Sequence, residues 1–177
     1  MNIDTLSKLI TEGAKESFIS YQVKFGKNEI IGYAILSHDT ADSCCPVLAT
    51  KQALENSSFN DINDFLFSPT EWDQFDNGAS FNKVNNAIGK LYDEGNYEID
   101  PEWHNKFREL VFEANVKALE QLISEGVIDS EHKRNQIFVV FCLSDSETFK
   151  THEPSWVKRL NTEKVSNSYM HWHSQNA

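Results

Sequence analysis

The stretch over residues 100–126 constrains the fold most. Asp100 is placed to cap a helix, Pro101 suits a first helical turn whose amide needs no partner, and Glu102 meets the positive end of the helix dipole. Beyond them Phe107, Leu110, Val111, Ala114, Ala118, Leu119 and Leu122 return at three- and four-residue intervals, which makes one apolar stripe. Gly126 stops it. At a rise of about 1.5 Å per residue the helix over 100–125 would be about 38 Å long, enough to cross a small sheet. The sheet itself is announced by the run Ile137, Phe138, Val139, Val140, Phe141, Cys142, Leu143. Too short and too β-branched for a second long helix, it predicts a strand over 136–143 in which Cys142 is a small buried hydrophobe.

The remaining elements arrange themselves around that pair. Ile3, Leu6, Leu9, Ile10, Ala14, Phe18 and Tyr21 share one face of an opening helix, with Lys8, Glu12, Lys15 and Glu16 on the other. A strand is expected over 29–37 and a second over 43–48, joined by the polar turn 38–42 as an antiparallel hairpin. Pro46 has no amide to donate and places the second strand at an edge or a bulge. Thr50 can cap a short helix through Ala53 and Leu54. Residues 64–67 read as a third strand. Ser68, Pro69, Thr70 and Glu71 then have the spacing of a capping box that opens a helix with Trp72 and Phe75 on its apolar side. Phe81, Val84, Ile88, Leu91 and Tyr92 sketch another, ended near Gly95. Further helices are expected from Ser144 to Glu147, from Pro154 and from Thr162, while 171–177 is expected to fray.

A chain of 177 residues buries about 70% of its unfolded surface and forms one compact unit. The reading is therefore a single α+β domain over 1–177, with a mainly antiparallel sheet of about four strands and packed helices. The hydrophobic fraction of 40% and the twelve Phe exclude a disordered chain. Sixteen Lys and Arg against twenty-seven Asp and Glu give a charge of -11, which repels phosphate backbones and anionic lipid. Neither nucleic acid nor a membrane is expected as a partner. The start of the chain lacks a cationic, apolar leader, no run approaches a membrane span, and three Cys is an odd number for a disulfide framework. A cytoplasmic location is expected.

No stretch carries a familiar reaction. His171 and His173 would share a face on a strand, but His38, Cys44 and Cys45 do not complete a zinc set at the usual spacing, so no metal and no cofactor is expected. Ser144, Asp145 and Ser146 follow the carboxyl end of the strongest strand, where α/β proteins often place catalytic groups. A capping box of Ser144 with Glu147 explains them more simply. Trp72, Trp103, Trp156 and Trp172 are each core aromatics or hot spots of a binding face. No catalytic residue is assigned.

Several pieces occur in a recognisable order: Tyr33 to Leu36, Cys45-Pro46-Val47, the short helix with Ala53 and Leu54, Ser68 to Trp72, the long helix, Leu143 to Ser146, and Val157-Lys158-Arg159-Leu160-Asn161. Over nearly the whole chain this resembles an uncharacterised bacterial family, domain-of-unknown-function family 4303. The Ser-Asp-Ser and Lys-Arg-Leu-Asn segments are the more specific parts of the likeness, whereas the turn 37–42 is shorter than expected and Cys44 is unusual. The resemblance implies a small accessory protein and, because some members lie near polymorphic toxin systems, an immunity role. A protein-binding domain is thus expected, an immunity-type inhibitor of a basic toxin, with Trp72, Glu71, Asp145 and Trp156 as its binding residues. A housekeeping scaffold domain and an enzyme with a site near Asp145 and His38 remain as alternatives.

Overall fold

The computed structural model describes residues 2–75, 79–95, 100–128, 136–144 and 147–176, with the backbone alone for 147–150. Helix α1 (Ile3–Phe25) starts where the Asn2 side chain accepts the Thr5 amide at 2.9 Å, and strands β1 (Ile30–Ser37) and β2 (Cys44–Thr50) follow as the expected antiparallel hairpin. Then come α2 (Lys51–Asn56), capped by Thr50, α3 (Ile62–Leu66), the two-residue β3 (Gln74–Phe75), α4 (Asn82–Glu94) and α5 (Pro101–Ser124). Strand β4 (Phe138–Leu143), α6 (Glu147–Leu160) and α7 (Glu163–Asn176) complete the order. Asp100 caps α5 by accepting the Trp103 amide at 3.0 Å, and Gly126 leaves that helix with φ of +69°, the left-handed conformation glycine adopts without strain.

The sheet order is β3-β2-β1-β4. β1 pairs antiparallel with β2 but parallel with β4, from Gly32 beside Phe138 to Ser37 beside Leu143. The domain is α+β as expected, and its sheet is mixed. Every residue of β1 and β4 is buried, the pattern of strands covered on both faces. On the first face, α1, α4 and α5 bury Leu6, Ile10, Phe18, Val84, Ile88, Val111, Leu119 and Leu122 against Tyr33, Ile35, Val139 and Phe141. On the second, Phe65, Phe67, Trp72, Val165 and Tyr169 cover Ala34, Leu36, Val47, Phe138 and Val140.

Four expectations give way here. Residues 64–67 are not a strand: Asp61 accepts the Asn63 amide at 2.7 Å and starts α3, a single helical turn too short for a periodicity to reveal. The third strand is β3 instead, which pairs only with Val47 and Leu48. Ser68 makes no side-chain cap, and the helix expected there is one 3-10 turn (Pro69–Glu71) ending at an extended Trp72. Pro154 does not begin a new helix but lies inside α6, where Trp156, Val157 and Leu160 are buried on either side of β4 and hold the helix through the missing hydrogen bond. Nor do residues 171–176 fray: they continue α7, and the Trp172 indole donates to Asp64 Oδ1 at 2.8 Å.

Asparagine side chains cap the sheet at two points. Asn161 accepts the Val139 amide at 2.9 Å and donates to the Val139 carbonyl at 2.6 Å and to Val157 O at 3.0 Å. Its carboxamide thus completes β4 as a neighbouring strand would. Asn85 does the same at the start of β2, accepting the Cys44 amide at 2.9 Å and donating to its carbonyl at 3.0 Å. Beside Asn161, Arg159 grips Glu113 at 2.7 and 2.8 Å and Glu120 at 2.9 and 3.0 Å, tying α6 to α5. The Lys-Arg-Leu-Asn segment is therefore architecture.

Candidate functional site

The parallel pairing of β1 with β4 brings two segments together that the sequence holds far apart. The ladder continues one residue past β4, where the Ser144 amide donates to the Ser37 carbonyl at 3.0 Å. Ser144 Oγ then lies 3.1 Å from His38 Nδ1. Around this pair, at the carboxyl end of both strands, opens a pocket of about 400 Å³. Leu36, Cys45, Thr70, Phe75 and Asn85 are among the residues that line it.

The turn that carries His38 is pinned from several directions. Ala41 adopts φ of +59° and is fully buried, and its amide donates to the His38 carbonyl at 3.0 Å. A left-handed alanine costs energy that only surrounding contacts hold in place. Those contacts are an ion pair between Arg108 of α5 and Asp39, a 2.7 Å hydrogen bond from Ser37 Oγ to the Ser43 carbonyl, and the Asn85 clasp on Cys44. The rim is thus positioned by contacts from the first face of the sheet, while the pocket takes lining residues from both faces.

The two neighbouring cysteines differ as their alternation on β2 requires. Cys44 points to the first face, and burial pushes its thiol well above the ordinary range, so it stays protonated and unreactive at neutral pH. Cys45 is half-buried and lines the pocket.

Of the three described residues among the four singled out for binding, Glu71 alone has its side chain exposed, and it follows the lining residue Thr70 in the chain. Trp72 is 1% exposed: its indole lies over Gly32, where a Cβ would stand 2.5 Å from the ring, and its Nε1 donates to the Phe65 carbonyl at 2.9 Å. Trp156 is buried too, between Phe112, Phe141 and the stacked ring of His152. Neither tryptophan presents a surface to a partner, because the second face and the β4 edge each need a large aromatic to fill them. Asp145 lies outside the described residues. The large aromatic that does stand out is Phe75, 51% exposed at the mouth of the pocket.

The histidines of the carboxyl-terminal segment do not converge. On α7 they are two residues apart, so they point to different sides of the helix; His171 Nε2 is 3.2 Å from Gln175 and His173 packs on Tyr169. Among the described residues no group of three His, Cys, Asp or Glu is placed to hold a metal ion, and no helix is long and apolar enough to cross a membrane.

A second cluster of ionisable groups lies inside the protein. Glu153 of α6 is almost fully buried, and burial pushes its carboxyl up to about 8. Its Oε1 and the Tyr169 hydroxyl are both buried; their interaction opposes the rise of the carboxyl, while burial, the Glu153 charge and that hydrogen bond raise the phenol. Cys142 on β4 completes this group, its thiol raised by burial and then by Glu153. Burial thus biases all three toward their uncharged forms.

The model of a family described as Domain of unknown function (DUF4303) matches residues 10–162. No curated protein and no solved structure matches the chain.

Proposed function

We propose, from the premise that the chain belongs to the domain-of-unknown-function family 4303, that it is a cytosolic bacterial binding protein whose partner is another protein, a basic one. In this reading it works as an immunity-type inhibitor, a stoichiometric cover for the active face of a toxin. The observation that carries the reading is the half-open pocket with the exposed ring of Phe75 at its mouth, flanked in the chain by the carboxylates Asp42, Glu71 and Asp73. A net charge of -11 supports it, since a basic partner would be steered to such a surface at rates that salt suppresses. Glu71 keeps its place among the binding residues; Phe75 takes the anchoring role given to the tryptophans.

Affinity capture from the source cell, followed by stopped-flow mixing with the captured protein, tests this. We expect one saturating, basic partner at 1:1, with an association rate that falls about tenfold or more between 0.05 and 0.5 M salt and a dissociation rate that changes much less. An acidic partner, or none that saturates, would sink the reading. If the captured protein is harmless when produced alone, the housekeeping scaffold role replaces the immunity role.

One observation favours a second reading, that of an enzyme. Ser144 Oγ within 3.1 Å of His38 Nδ1 inside a pocket is the relation of a nucleophile to its base. Turnover of an activated acyl ester by the parent protein, abolished in Ser144→Ala, would support it; equal rates in both would remove it.

A further inference from the structure

The pocket has two chemical zones. Its exposed lining is mainly apolar, from Leu36, Cys45 and Phe75, with serine and threonine hydroxyls and the His38 ring among it, and among the described residues no lysine or arginine lines it. The chain at its mouth is acidic: Asp42 precedes the lining residue Ser43, and the exposed Glu71 and Asp73 lie between Thr70 and Phe75. Its volume falls in the range of about 300–1,000 Å³ that binding pockets occupy.

A partner is steered toward this pocket by the way the sheet ends. Asn161 already holds the amide and carbonyl of Val139 on β4, Asn85 those of Cys44 at the start of β2, Pro46 has no amide to offer and β3 is only two residues long, which disfavours strand addition at these points. Side chains, not a strand, are therefore expected to make the contact. A side chain enters a pocket tip first, and a lining that offers a guanidinium or ammonium no carboxylate among its described residues would strip its water without replacing its countercharge. An apolar tip loses nothing there. The cations of a basic partner are instead matched by the rim.

We propose that the pocket receives an aromatic side chain of a partner protein, flanked in that partner's sequence by lysine and arginine, with the ring against Leu36 and Phe75 and the cations against Asp42, Glu71 and Asp73. This rests on the protein-binding reading above and adds the chemistry of the occupant. The exposed Phe75 ring supplies an offset or edge-on surface for the incoming ring and a face for a neighbouring arginine.

The test uses the full chain and a capped pentapeptide of one phenylalanine with two basic residues on each side. Two control peptides replace the phenylalanine with alanine and the four cations with glutamate. By titration calorimetry we expect the first peptide to bind with Kd of about 10 to 1,000 µM and both controls at least about tenfold more weakly. Phe75→Ala should weaken binding about tenfold, and Thr70→Trp, which fills the pocket from an exposed position, by at least as much. The double variant Glu71→Lys with Asp73→Lys should lose about tenfold at 0.05 M salt and approach the parent near 0.5 M. These side chains are exposed, and unchanged thermal melting of each variant confirms that the fold is kept. Absence of peptide binding, equal affinity for the alanine peptide, or a Thr70→Trp variant that binds as the parent does would overturn the proposal. If Thr70→Trp still binds the captured partner at full strength, the pocket's role falls while the protein-binding reading stands. If neither peptide nor any partner protein binds, both fall.

Discussion

The two faces of the sheet are covered by different means. On the first, α1 and α5 lay long apolar stripes across β1 and β4, so burial follows from helical periodicity and many residues share it. The second is closed by α3, one 3-10 turn, the Trp72 indole and α7, so burial depends on a few large groups that fit one place each. Gly32 has no side chain where the Trp72 ring rests, and the Phe65 carbonyl takes the indole hydrogen. A stripe tolerates change in one of its members; a single plug does not. The pocket opens at the carboxyl ends of β1 and β4, where Leu36 and Ser144 are among its lining residues.

Trp72→Ala puts that contrast to its hardest test. It should cost about 4 kcal/mol, read by urea unfolding, against about 3 kcal/mol for Leu119→Ala on the first face. Gly32→Ala should cost about 2 kcal/mol in the parent, where its methyl meets the indole, and close to nothing in the Trp72→Ala background, where the clash is gone. A Trp72→Ala loss below about 1 kcal/mol, or additive effects in the pair, would show that the second face is a loose cover.

The buried group under α6 and α7 sharpens the contrast by its pH dependence. Glu153 is neutral in the folded protein up to about pH 8 but ionises near the ordinary carboxylate range once unfolded. The unfolded chain therefore releases a proton that the folded one keeps, and stability falls as pH rises from about 4.5 to about 8. Glu153→Gln removes this slope. Relative to the parent, the variant should gain about 3 kcal/mol on moving from pH 5 to pH 8, measured by denaturant unfolding at both values. A parent and variant whose difference is the same at both pH values would place an ionised carboxylate in the fold. The Tyr169 hydroxyl, whose hydrogen bond favours the ionised carboxyl against the effect of burial, would then be the group that holds it.

What the sequence disclosed follows the same division. The stripes of α1 and α5, the hairpin of β1 and β2 and the run of β4 were legible because each repeats one local rule over many residues. The third strand and the helix at Pro69 were not, because three- to five-residue elements carry no period and their conformation is set by the groups they plug. The candidate site was half legible. His38 and Ser144 each stood out at the end of an apolar run, but only the parallel pairing of strands separated by most of the chain brings them to 3.1 Å. The tryptophans misled because size and hydrophobicity suit a core as well as an interface. The sequence pattern puts Phe75 on the apolar side of a helix that does not form, and its exposure follows from its place in a two-residue edge strand.

The smallest effect concerns α6, which stands at the β4 edge and serves both faces, with Trp156 and Leu160 on the first and Val157 on the second. If apolar fit and the Asn161 clasp hold this helix, its ion pairs to α5 are secondary. Arg159 and its two carboxylates are each about one-third exposed, so solvent screens them, and removing the guanidinium should cost only about 1 kcal/mol. Hydrogen bonding to Arg159 holds the Glu113 carboxyl below its usual range. That contribution is therefore present above the unfolded carboxylate range and is lost as pH falls through the lower folded value. Arg159→Ala should thus differ from the parent less at pH 3 than at pH 7, and less in 1 M salt than in 0.05 M. Arg159→Lys should recover part of the loss, since one ammonium cannot present the paired donors that meet both Glu113 and Glu120. A loss above about 3 kcal/mol that salt leaves untouched would mean that α6 is held to α5 by this cluster and not by the two faces it joins.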